Sequence, residues 1–364
     1  MKTFLTIFGT RPEAIKMCPL IIELKKHSNC NTIVCVSGQH KQMLEPILDF
    51  FQIIPDYNLD IMKENQSLFD ITNNILSNLK QLLYEINPDF VLVHGDTTTS
   101  FSAALAAFYS NIPVVHIEAG LRTYNLHNPY PEEFNRHAIS IISKFHFAPT
   151  TDSYNNLINE HINPQTIFLT GNTVIDALSY TLCNNYTHPE LNWINSVPFI
   201  LITCHRRENI GEPMKNIFRA IKHLLFDFPY IKAIFPIHMN PAIRKIAIEE
   251  LNDCNNLHII EPLNVFDFHN FLYRCHLVLT DSGGIQEEGA YLGKPILVTR
   301  NNTERFECIS TNNIRLIGTQ ETNIYENCKL LLCDDNEYHK MTIPTKIFGD
   351  GSAAKKIANI LTNL

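Results

Sequence analysis

Acidic side chains follow strand-like apolar runs at three places in the first half of the chain. Asp96 lies in VHGDTTTS (93–100), Glu118 in VHIEAGLR (115–122), and Glu132 with Glu133 in YPEEFNR (130–136). Each segment alone also has a structural interpretation, since Asp and Thr cap helices and carboxylates suit a helix N-terminus. Three acidic sites on neighbouring strand ends of one sheet favour chemistry, because carboxylates held close together become general acids and bases near neutral pH.

A basic loop follows the first predicted strand, in GTRPEAIK (9–16). Gly9 permits a tight turn and Pro12 suits the first turn of a helix, whose N-terminus favours an anion. Arg11 and Lys16 add positive charge there. The pattern predicts an anion site, although an ordinary strand-to-helix turn with solvated charges fits it as well.

Two histidines follow strands in the second half. His205 and Arg206 lie in LITCHRREN (201–209), and His238 lies in PIHMNP (236–241). A lone histidine is usually structural, but one flanked by two arginines at a strand end suggests a site for phosphate oxygens.

The strongest local pattern is LTDSGGIQEEG (279–289), a strand, a glycine pair and a helix start. Ser282, Gly283 and Gly284 can present backbone N–H groups to a diphosphate, and Glu288, further along the helix, can reach ribose hydroxyls. The segment is neither a Gly-x-Gly-x-x-Gly fingerprint nor a P-loop, so nicotinamide and ATP both lose support.

Short apolar runs alternate with segments of helical spacing, which predicts an α/β fold with two Rossmann-like domains and a ligand cleft between them. We expect domains at 1–171 and 172–351, a polar crossing within 171–198, and a last helix at about 352–364 that returns to the first domain. The predicted strands are 3–8, 32–37, 90–94, 114–117, 145–147, 166–169, 199–203, 231–237, 257–260, 277–280 and 296–298.

Composition narrows the class of protein. The 364 residues suit two domains, and the net charge of −8 argues against a nucleic-acid partner. The apolar run at the start, residues 1–8, is too short for a signal peptide, and no other run is long enough to span a membrane, so we expect a cytoplasmic protein. Ten scattered cysteines without Cys-x-x-Cys spacing predict core thiols rather than disulfides or a zinc site.

Together these segments, with GNTVIDAL (171–178), resemble the non-hydrolysing UDP-N-acetylglucosamine 2-epimerases of bacteria, and the resemblance spans nearly the whole chain in one order. It implies a glycosyltransferase-B-like pair of domains, usually dimeric, that interconverts UDP-GlcNAc and UDP-ManNAc for surface polysaccharide precursors. It also implies elimination of UDP to 2-acetamidoglucal followed by re-addition, with no cofactor and no metal.

The resemblance implies roles for individual residues. The positions that match the family's catalytic residues are Asp96, Glu118, Glu132 and His205. The positions that match its nucleotide site are Arg11, Lys16, Phe268, Ser282, Gly283, Gly284, Glu288 and Arg305. A second, activating UDP-GlcNAc is implied at Gln39, His40, Gln42, Glu132, Arg206 and His238, with Asn65 where some relatives have a basic residue.

Three alternatives remain open from the sequence. A glycosyltransferase would use the same architecture and a UDP-sugar donor. A hydrolysing epimerase would release free ManNAc, although Thr10 and Pro12 favour the other branch. A catalytically silent UDP-sugar sensor would bind without turnover, although all four candidate catalytic positions carry groups able to act.

Overall fold

The chain forms two compact units in a computed structural model that describes residues 1–39, 41–63, 66–301 and 311–364, without the side chains of Lys41 and Gln42. One unit comprises Met1–Tyr180 with Phe348–Leu364, and the other comprises Thr181–Ile347. The domain boundaries expected after residues 171 and 351 stay predictions.

The first unit is built on a parallel sheet. Its strands are β1 (Lys2–Phe8), β2 (Cys30–Val36), β3 (Tyr57–Asn58), β4 (Phe90–His94), β5 (Val114–Ile117), β6 (Ser143–Ala148) and β7 (Ile167–Leu169). In the described residues the strand order is β3-β2-β1-β4-β5-β6-β7, which contains the 3-2-1-4-5-6 order of dinucleotide-binding folds. The strands β4 and β5 are buried along their whole length, as parallel strands covered on both faces should be.

Helices cover this sheet. They are α1 (Arg11–Lys25), α2 (Lys41–Phe50), α3 (Leu68–Ile86), α4 (Thr98–Tyr109), α5 (Glu132–Ile142), α6 (Thr151–Asn159) and α7 (Thr173–Thr181). The α3 side of the core joins Ile75 and Leu79 to Val91 and Val93 of β4, all fully buried. The apolar strands are thus held between helices, and their carboxyl ends emerge as loops at one edge of the sheet.

The second unit repeats the architecture. Its strands are β8 (Phe199–Thr203), β9 (Lys232–Pro236), β10 (Leu257–Ile260), β11 (Leu277–Thr280), β12 (Ile296–Val298) and β13 (Ile314–Leu316), parallel in the order β10-β9-β8-β11-β12-β13 within the described part of the chain. Its helices are α8 (Pro189–Ile194), α9 (Glu212–Asp227), α10 (Pro241–Leu251), α11 (Val265–Arg274), α12 (Gly283–Tyr291), α13 (Glu321–Cys333) and α14 (Asp335–Lys340). Two parallel, helix-covered sheets confirm the predicted α/β class.

The last helix, α15 (Ala353–Asn363), belongs to the first unit and packs on α1. Its buried face includes Ile357 and Leu361. The segment expected to be a polar crossing contains α8, whose Trp193 stacks on His258 at a ring-centroid distance of 3.5 Å. None of the helices in the described ranges combines the length and apolar composition that a membrane crossing requires.

Candidate active site

The loop after β1 is stabilised by hydrogen bonds to the carboxylate of Glu13. Its Oε2 accepts from the backbone N–H groups of Gly9 (3.0 Å) and Thr10 (2.8 Å), while Thr10 caps α1 as the N-terminal partner of a capping box. Its Oε1 accepts from the hydroxyls of Thr97 (2.7 Å) and Ser100 (2.8 Å) at the start of α4. One buried carboxylate therefore joins the loops that follow β1 and β4, and burial raises its pKa despite these donors.

Arg11 and Lys16, the two basic residues of this loop, lie in the first two turns of α1. Arg11 is the first residue of the helix and is partly exposed, whereas Lys16 is buried. Gly9 leaves no space for a side chain, since a Cβ there would lie 1.9 Å from Ser37 Oγ. The turn is thus fixed by packing as well as by Glu13.

Glu118 lies directly after β5 in a left-handed backbone conformation, with φ of +62°. Such a conformation is unfavourable for a residue with a side chain and costs about 1–3 kcal/mol, so the surroundings must maintain it. The Oε1 atom of Glu118 accepts from Lys16 Nζ and from Asn172 Nδ2, the latter at 2.7 Å. His94 Nδ1 lies 3.8 Å from Oε2, and burial lowers the pKa of His94 to about 4, so this histidine is neutral at pH 7.

Asp96 lies in the loop after β4 and accepts hydrogen bonds from two side chains of α5. Arg136 Nη2 donates to Asp96 Oδ2 at 2.6 Å, and Asn135 Nδ2 donates to the Asp96 carbonyl at 2.9 Å. Thr97, rather than Asp96, is the N-cap of α4, accepting from Ser100 N–H. The Asp96 carboxylate is therefore left to the ion pair with Arg136 instead of serving as the cap.

Asp96 and Glu118 lie in loops that follow the paired strands β4 and β5 of the first unit. A Cβ placed on Gly95, the residue before Asp96, would lie 3.1 Å from Glu118 Oε2. Glu132 begins α5, as the sequence predicted, and so shares a helix with Arg136. Glu133 is buried and accepts from two backbone N–H groups of the preceding loop, so its role is to shape that loop.

Besides Glu132, Gln39 is the member of the predicted second site in the first unit whose side chain is described. Its Oε1 accepts from Thr99 Oγ1 at 2.7 Å. His40 lies outside the described residues, as does Asn65, and for Gln42 only the backbone is described.

In the second unit, Asp281 organises the His205 loop. Its fully buried carboxylate accepts from the backbone N–H groups of His205 (3.0 Å) and Arg206 (2.9 Å) and from Asn209 Nδ2 (3.0 Å). His205 Nδ1 lies 3.4 Å from Asp281 Oδ1. Burial lowers the pKa of His205, and the nearby Asp281 opposes that change. The His205 ring stacks against that of His238, which is exposed, at a centroid distance of 5.8 Å.

The glycine pair opens α12, as the sequence predicted. Ser282 is its N-cap residue and makes no side-chain capping hydrogen bond. A Cβ added to Gly284 would meet no described atom within 4 Å, so packing against the described residues does not explain a glycine there. Together these features leave room for a ligand to approach the N-terminal N–H groups of α12.

Glu288 lies further along α12, and its carboxylate is close to the side chain of His269. His269 Nε2 is 3.3 Å from Glu288 Oε1, and His269 Nδ1 is 2.7 Å from Thr181 Oγ1. The ring of Phe268, on α11, is partly buried and lies 6.4 Å from that of His269. Arg305 lies outside the described residues.

Sequence reasoning assigned no role to several residues that position the predicted ones. Glu13 had a signal, the Thr-x-x-Glu spacing of a capping box. Arg136, Asn172 and Asp281 lie inside the sequence motifs described above. Nothing in a single sequence, however, pairs Arg136 with Asp96, Asn172 with Glu118 or Asp281 with His205. His269 had no signal at all. The positioning residues are Glu13, Arg136, Asn172, His269 and Asp281.

The fold and the placement of polar side chains at strand ends define a class, the two-domain α/β enzymes of the glycosyltransferase-B type. A profile of the UDP-N-acetylglucosamine 2-epimerase family matches residues 22–362. The chain therefore belongs to the UDP-N-acetylglucosamine 2-epimerase family, which confirms the resemblance read from the motifs at the level of the family.

Individual relatives agree over nearly the full length. The chain is 50% identical to the UDP-N-acetylglucosamine 2-epimerase of Bacillus subtilis over 98% of its own residues and 94% of that protein's. The crystal structure of the Neisseria meningitidis UDP-GlcNAc 2-epimerase bound to UDP-GlcNAc matches with a TM-score of 0.94 and 46% identity, covering 100% of both chains. The Methanocaldococcus jannaschii UDP-GlcNAc 2-epimerase, in complex with UDP-GlcNAc and UDP, matches with a TM-score of 0.86 and 32% identity, again over 100% of both chains.

Proposed function

We propose that this enzyme interconverts UDP-GlcNAc and UDP-ManNAc without hydrolysing them. A carboxylate removes the C2 proton while the C1–O bond breaks and UDP leaves with its electrons. The product is 2-acetamidoglucal. UDP then adds back to C1 as a proton is delivered to the opposite face of C2. Nothing is oxidised, and neither water nor a cofactor is consumed.

The required groups follow from this chemistry. C2 has no adjacent carbonyl to acidify its proton, so proton removal must accompany departure of the phosphate, and positive charge develops on the sugar ring. Carboxylates stabilise that charge and carry the proton, while Arg and His groups stabilise the leaving diphosphate.

The observation that carries the proposal is the placement of Asp96 and Glu118 directly after the adjacent strands β4 and β5. Glu118 is fastened by Lys16 and Asn172, and Asp96 by Arg136. We assign these two carboxylates and Glu132 to the sugar and the proton transfers, because rigidly held charged groups stabilise a transition state without reorganising.

We assign the nucleotide to the second unit. The uncapped start of α12 and the open space at Gly284 suit a diphosphate, and Glu288, backed by His269, suits the ribose hydroxyls. His205 and Arg206, together with Arg11 from the first unit, would meet the phosphate charge. We also assign uracil contact to Phe268 and a diphosphate contact to Arg305.

Incubation with UDP-GlcNAc alone in D2O tests the reaction. We expect UDP-ManNAc to appear with deuterium at C2, and deuterium to enter recovered UDP-GlcNAc. Free ManNAc as the main product would instead identify a hydrolysing epimerase. Absence of both exchange and product without an acceptor would fit a glycosyltransferase, and tight UDP-GlcNAc binding without turnover at any concentration would fit a sensor.

Variants test the residue roles. Asp96→Asn, Glu118→Gln and His205→Ala should each lower kcat by about 100-fold or more while UDP binding persists. Glu288→Ala should weaken UDP binding more than it lowers kcat. Asp152→Asn, an exposed carboxylate in the first turn of α6, is the matched control and should leave both unchanged. Full turnover in the first two variants would remove the carboxylate mechanism.

We further propose that a second UDP-GlcNAc activates the enzyme through Gln39, His40, Gln42, Glu132, Arg206 and His238. The stacking of the exposed His238 ring on the ring of His205 supports this proposal. A ligand bound to His238 would contact the side chain that packs directly on the proposed catalytic residue His205. In the direction from UDP-ManNAc, trace UDP-GlcNAc should shorten an initial lag, and His238→Ala should abolish the shortening. A lag that is unaffected by UDP-GlcNAc would contradict the second site.

We propose finally that the enzyme is a homodimer and that its product feeds a bacterial surface polysaccharide. Light scattering on the protein as it elutes from a size-exclusion column should give twice the mass of one chain. The mass of a single chain across the concentration range used for kinetics would contradict the dimer. Deletion of the gene should remove N-acetylmannosamine-derived sugar from the cell surface, and an unchanged surface composition would contradict the pathway.

A further inference from the structure

Asn172, the residue before α7, is buried, and hydrogen bonds hold both its backbone and its side chain. It is 2% exposed. Its Oδ1 accepts from Val174 N–H at 3.1 Å, and its own backbone N–H donates to the Phe348 carbonyl at 2.7 Å. Since a backbone N–H can only donate, Oδ1 must be the atom facing Val174, and Nδ2 is therefore the atom that faces Glu118.

The backbone around Asn172 also packs against residues 348–349, which precede the last helix. A Cβ added to Gly171 would lie 2.8 Å from the Cα of Gly349, and Gly171 has a φ of +92° that side-chain-bearing residues rarely adopt. The segments 171–172 and 348–349 are thus in direct backbone contact. A side chain that starts from so constrained a backbone has little freedom to follow a moving partner.

Asn172 and Lys16 converge on the same oxygen of Glu118. Both donate to Oε1, whereas Oε2 lies toward Gly95 and His94. Lys16 reaches Oε1 on a long, flexible stem and supplies charge, while Asn172 supplies a directed, uncharged donor from a short side chain. Glu118 has the unfavourable left-handed backbone, which the surrounding structure must maintain.

We propose that Asn172 is a positioning residue for Glu118, fixing the direction of its carboxylate and favouring its charged form through the donated hydrogen bond. The inference rests on the proposed function, in which Glu118 is a catalytic carboxylate. Asn172 acts through Glu118 and not on the nucleotide, so its loss should appear in kcat and in the pH dependence of kcat rather than in KM.

Two variants keep the helix cap and change only the donor. Asn172→Asp retains an acceptor for Val174 N–H but turns a carboxylate oxygen toward Glu118. Asn172→Ser retains a capping hydroxyl but is too short to reach Glu118. We expect kcat to fall about 10- to 100-fold in both, the loss that corresponds to one hydrogen bond to a charged group, with KM for UDP-GlcNAc within about twofold. In Asn172→Asp the acid limb of the kcat profile should move to higher pH by about one unit or more, because facing carboxylates share a proton.

Asp176→Asn is the matched control for disturbance of the chain's end. Asp176 lies on α7 near Asn172 and accepts from the backbone N–H groups of Ala353 (3.2 Å) and Ala354 (2.9 Å), at the start of α15. Its substitution should leave kcat within about threefold of the unaltered enzyme at pH 7.5 and the acid limb unmoved. If Asp176→Asn matched the Asn172 variants in both measurements, loosening of the C-terminal segment would explain the effect and the positioning role would be overturned.

Glu118→Gln, measured in the same assays, separates this inference from the function beneath it. If Glu118→Gln loses turnover while both Asn172 variants keep it, the positioning role is wrong and the proposed mechanism stands. If Glu118→Gln keeps full turnover, the mechanism fails and the role of Asn172 fails with it. We expect all three variants to lose turnover. We also expect a double variant that combines Asn172→Ser with Glu118→Gln to have a kcat no lower than that of Glu118→Gln alone.

Discussion

Glu13 offers a sharp test of how the site loops are held, through the substitutions Glu13→Ala and Glu13→Gln. The Ala variant strips the acceptor from two buried backbone donors, Gly9 and Thr10. Each unsatisfied N–H costs about 1–3 kcal/mol, and the one lost methylene adds about 0.8 kcal/mol. The expected loss is about 3–7 kcal/mol, a large part of the 5–15 kcal/mol that typically stabilises a domain.

The Gln variant should be far milder. Its carbonyl oxygen can take the place of Oε2 on the two N–H groups, and its NH2 group can face the hydroxyls of Thr97 and Ser100, which are able to accept. We expect a loss of about 1 kcal/mol or less near pH 4.5. The contrast between the two variants isolates the acceptor role of Glu13 from its volume.

The pH dependence supplies an independent check. Burial raises the pKa of Glu13 above its ordinary 4.5, so the native state keeps this proton after the unfolded chain has released it. From pH 4.5 upward the unfolded state therefore binds fewer protons, and the contribution of Glu13 to stability falls as pH rises through its native pKa. Gln does not titrate, so the stability of Glu13→Gln relative to the unaltered protein should improve as pH rises from 4.5.

The assay must report on the first unit. The chain's single tryptophan, Trp193, lies in the second unit, so its fluorescence follows that unit during unfolding. Amide hydrogen exchange in α1 and α4 reports the first unit directly. The control is Asp70→Ala, which breaks the exposed capping box of α3 and should cost much less. A loss below about 1 kcal/mol for Glu13→Ala, or a pH dependence unchanged by Glu13→Gln, would refute the reasoning.

Three further outcomes follow from the same contacts. Arg136→Met should lower kcat about 10-fold or more because Asp96 loses its ion pair, and Arg136→Lys should recover part of it; equal kcat in all three proteins would contradict this. Asp281→Ala should lower the urea midpoint followed by tryptophan fluorescence, since the donors of the His205 loop lose a buried acceptor. Burial raises the pKa of Asp176 to about 6 from 3.8, so its contribution to stability should be lost as pH rises from about 4 to 6; a circular-dichroism series with Asp176→Asn should lack that slope.

Most of the strands were predictable because the apolar pattern that marks a strand is local in the sequence. The predicted bounds of β4, β5, β8, β10, β11 and β12 are those of the structure. The strand β3, two exposed residues at a sheet edge, and β13, three residues, have too little apolar pattern to be recognised. The helix α8 was missed since its six residues lie in a polar segment and are stabilised by a partner far along the chain, His258.

The loops of the site were predictable, but their internal contacts were not. Glycines, prolines and strand ends locate the loops because turn geometry depends on residues close in sequence. Lys16 and Glu118, in contrast, are 102 residues apart, and Asn172 lies 54 residues from Glu118. One sequence carries no information on such pairs, so the residues that position Glu118 could be recognised only from the folded chain.

Lys16 shows why that difference matters for mechanism. The motif assigned it to the nucleotide, whereas in the folded chain its ammonium group pairs with Glu118 in a site where both side chains are at most 10% exposed. A charge already paired at hydrogen-bond distance in a buried site adds less to the attraction of a phosphate than an unpaired one. If pairing with Glu118 is its main role, Lys16→Met should reduce kcat more than it weakens UDP binding. If the phosphate contact dominates, the order should reverse.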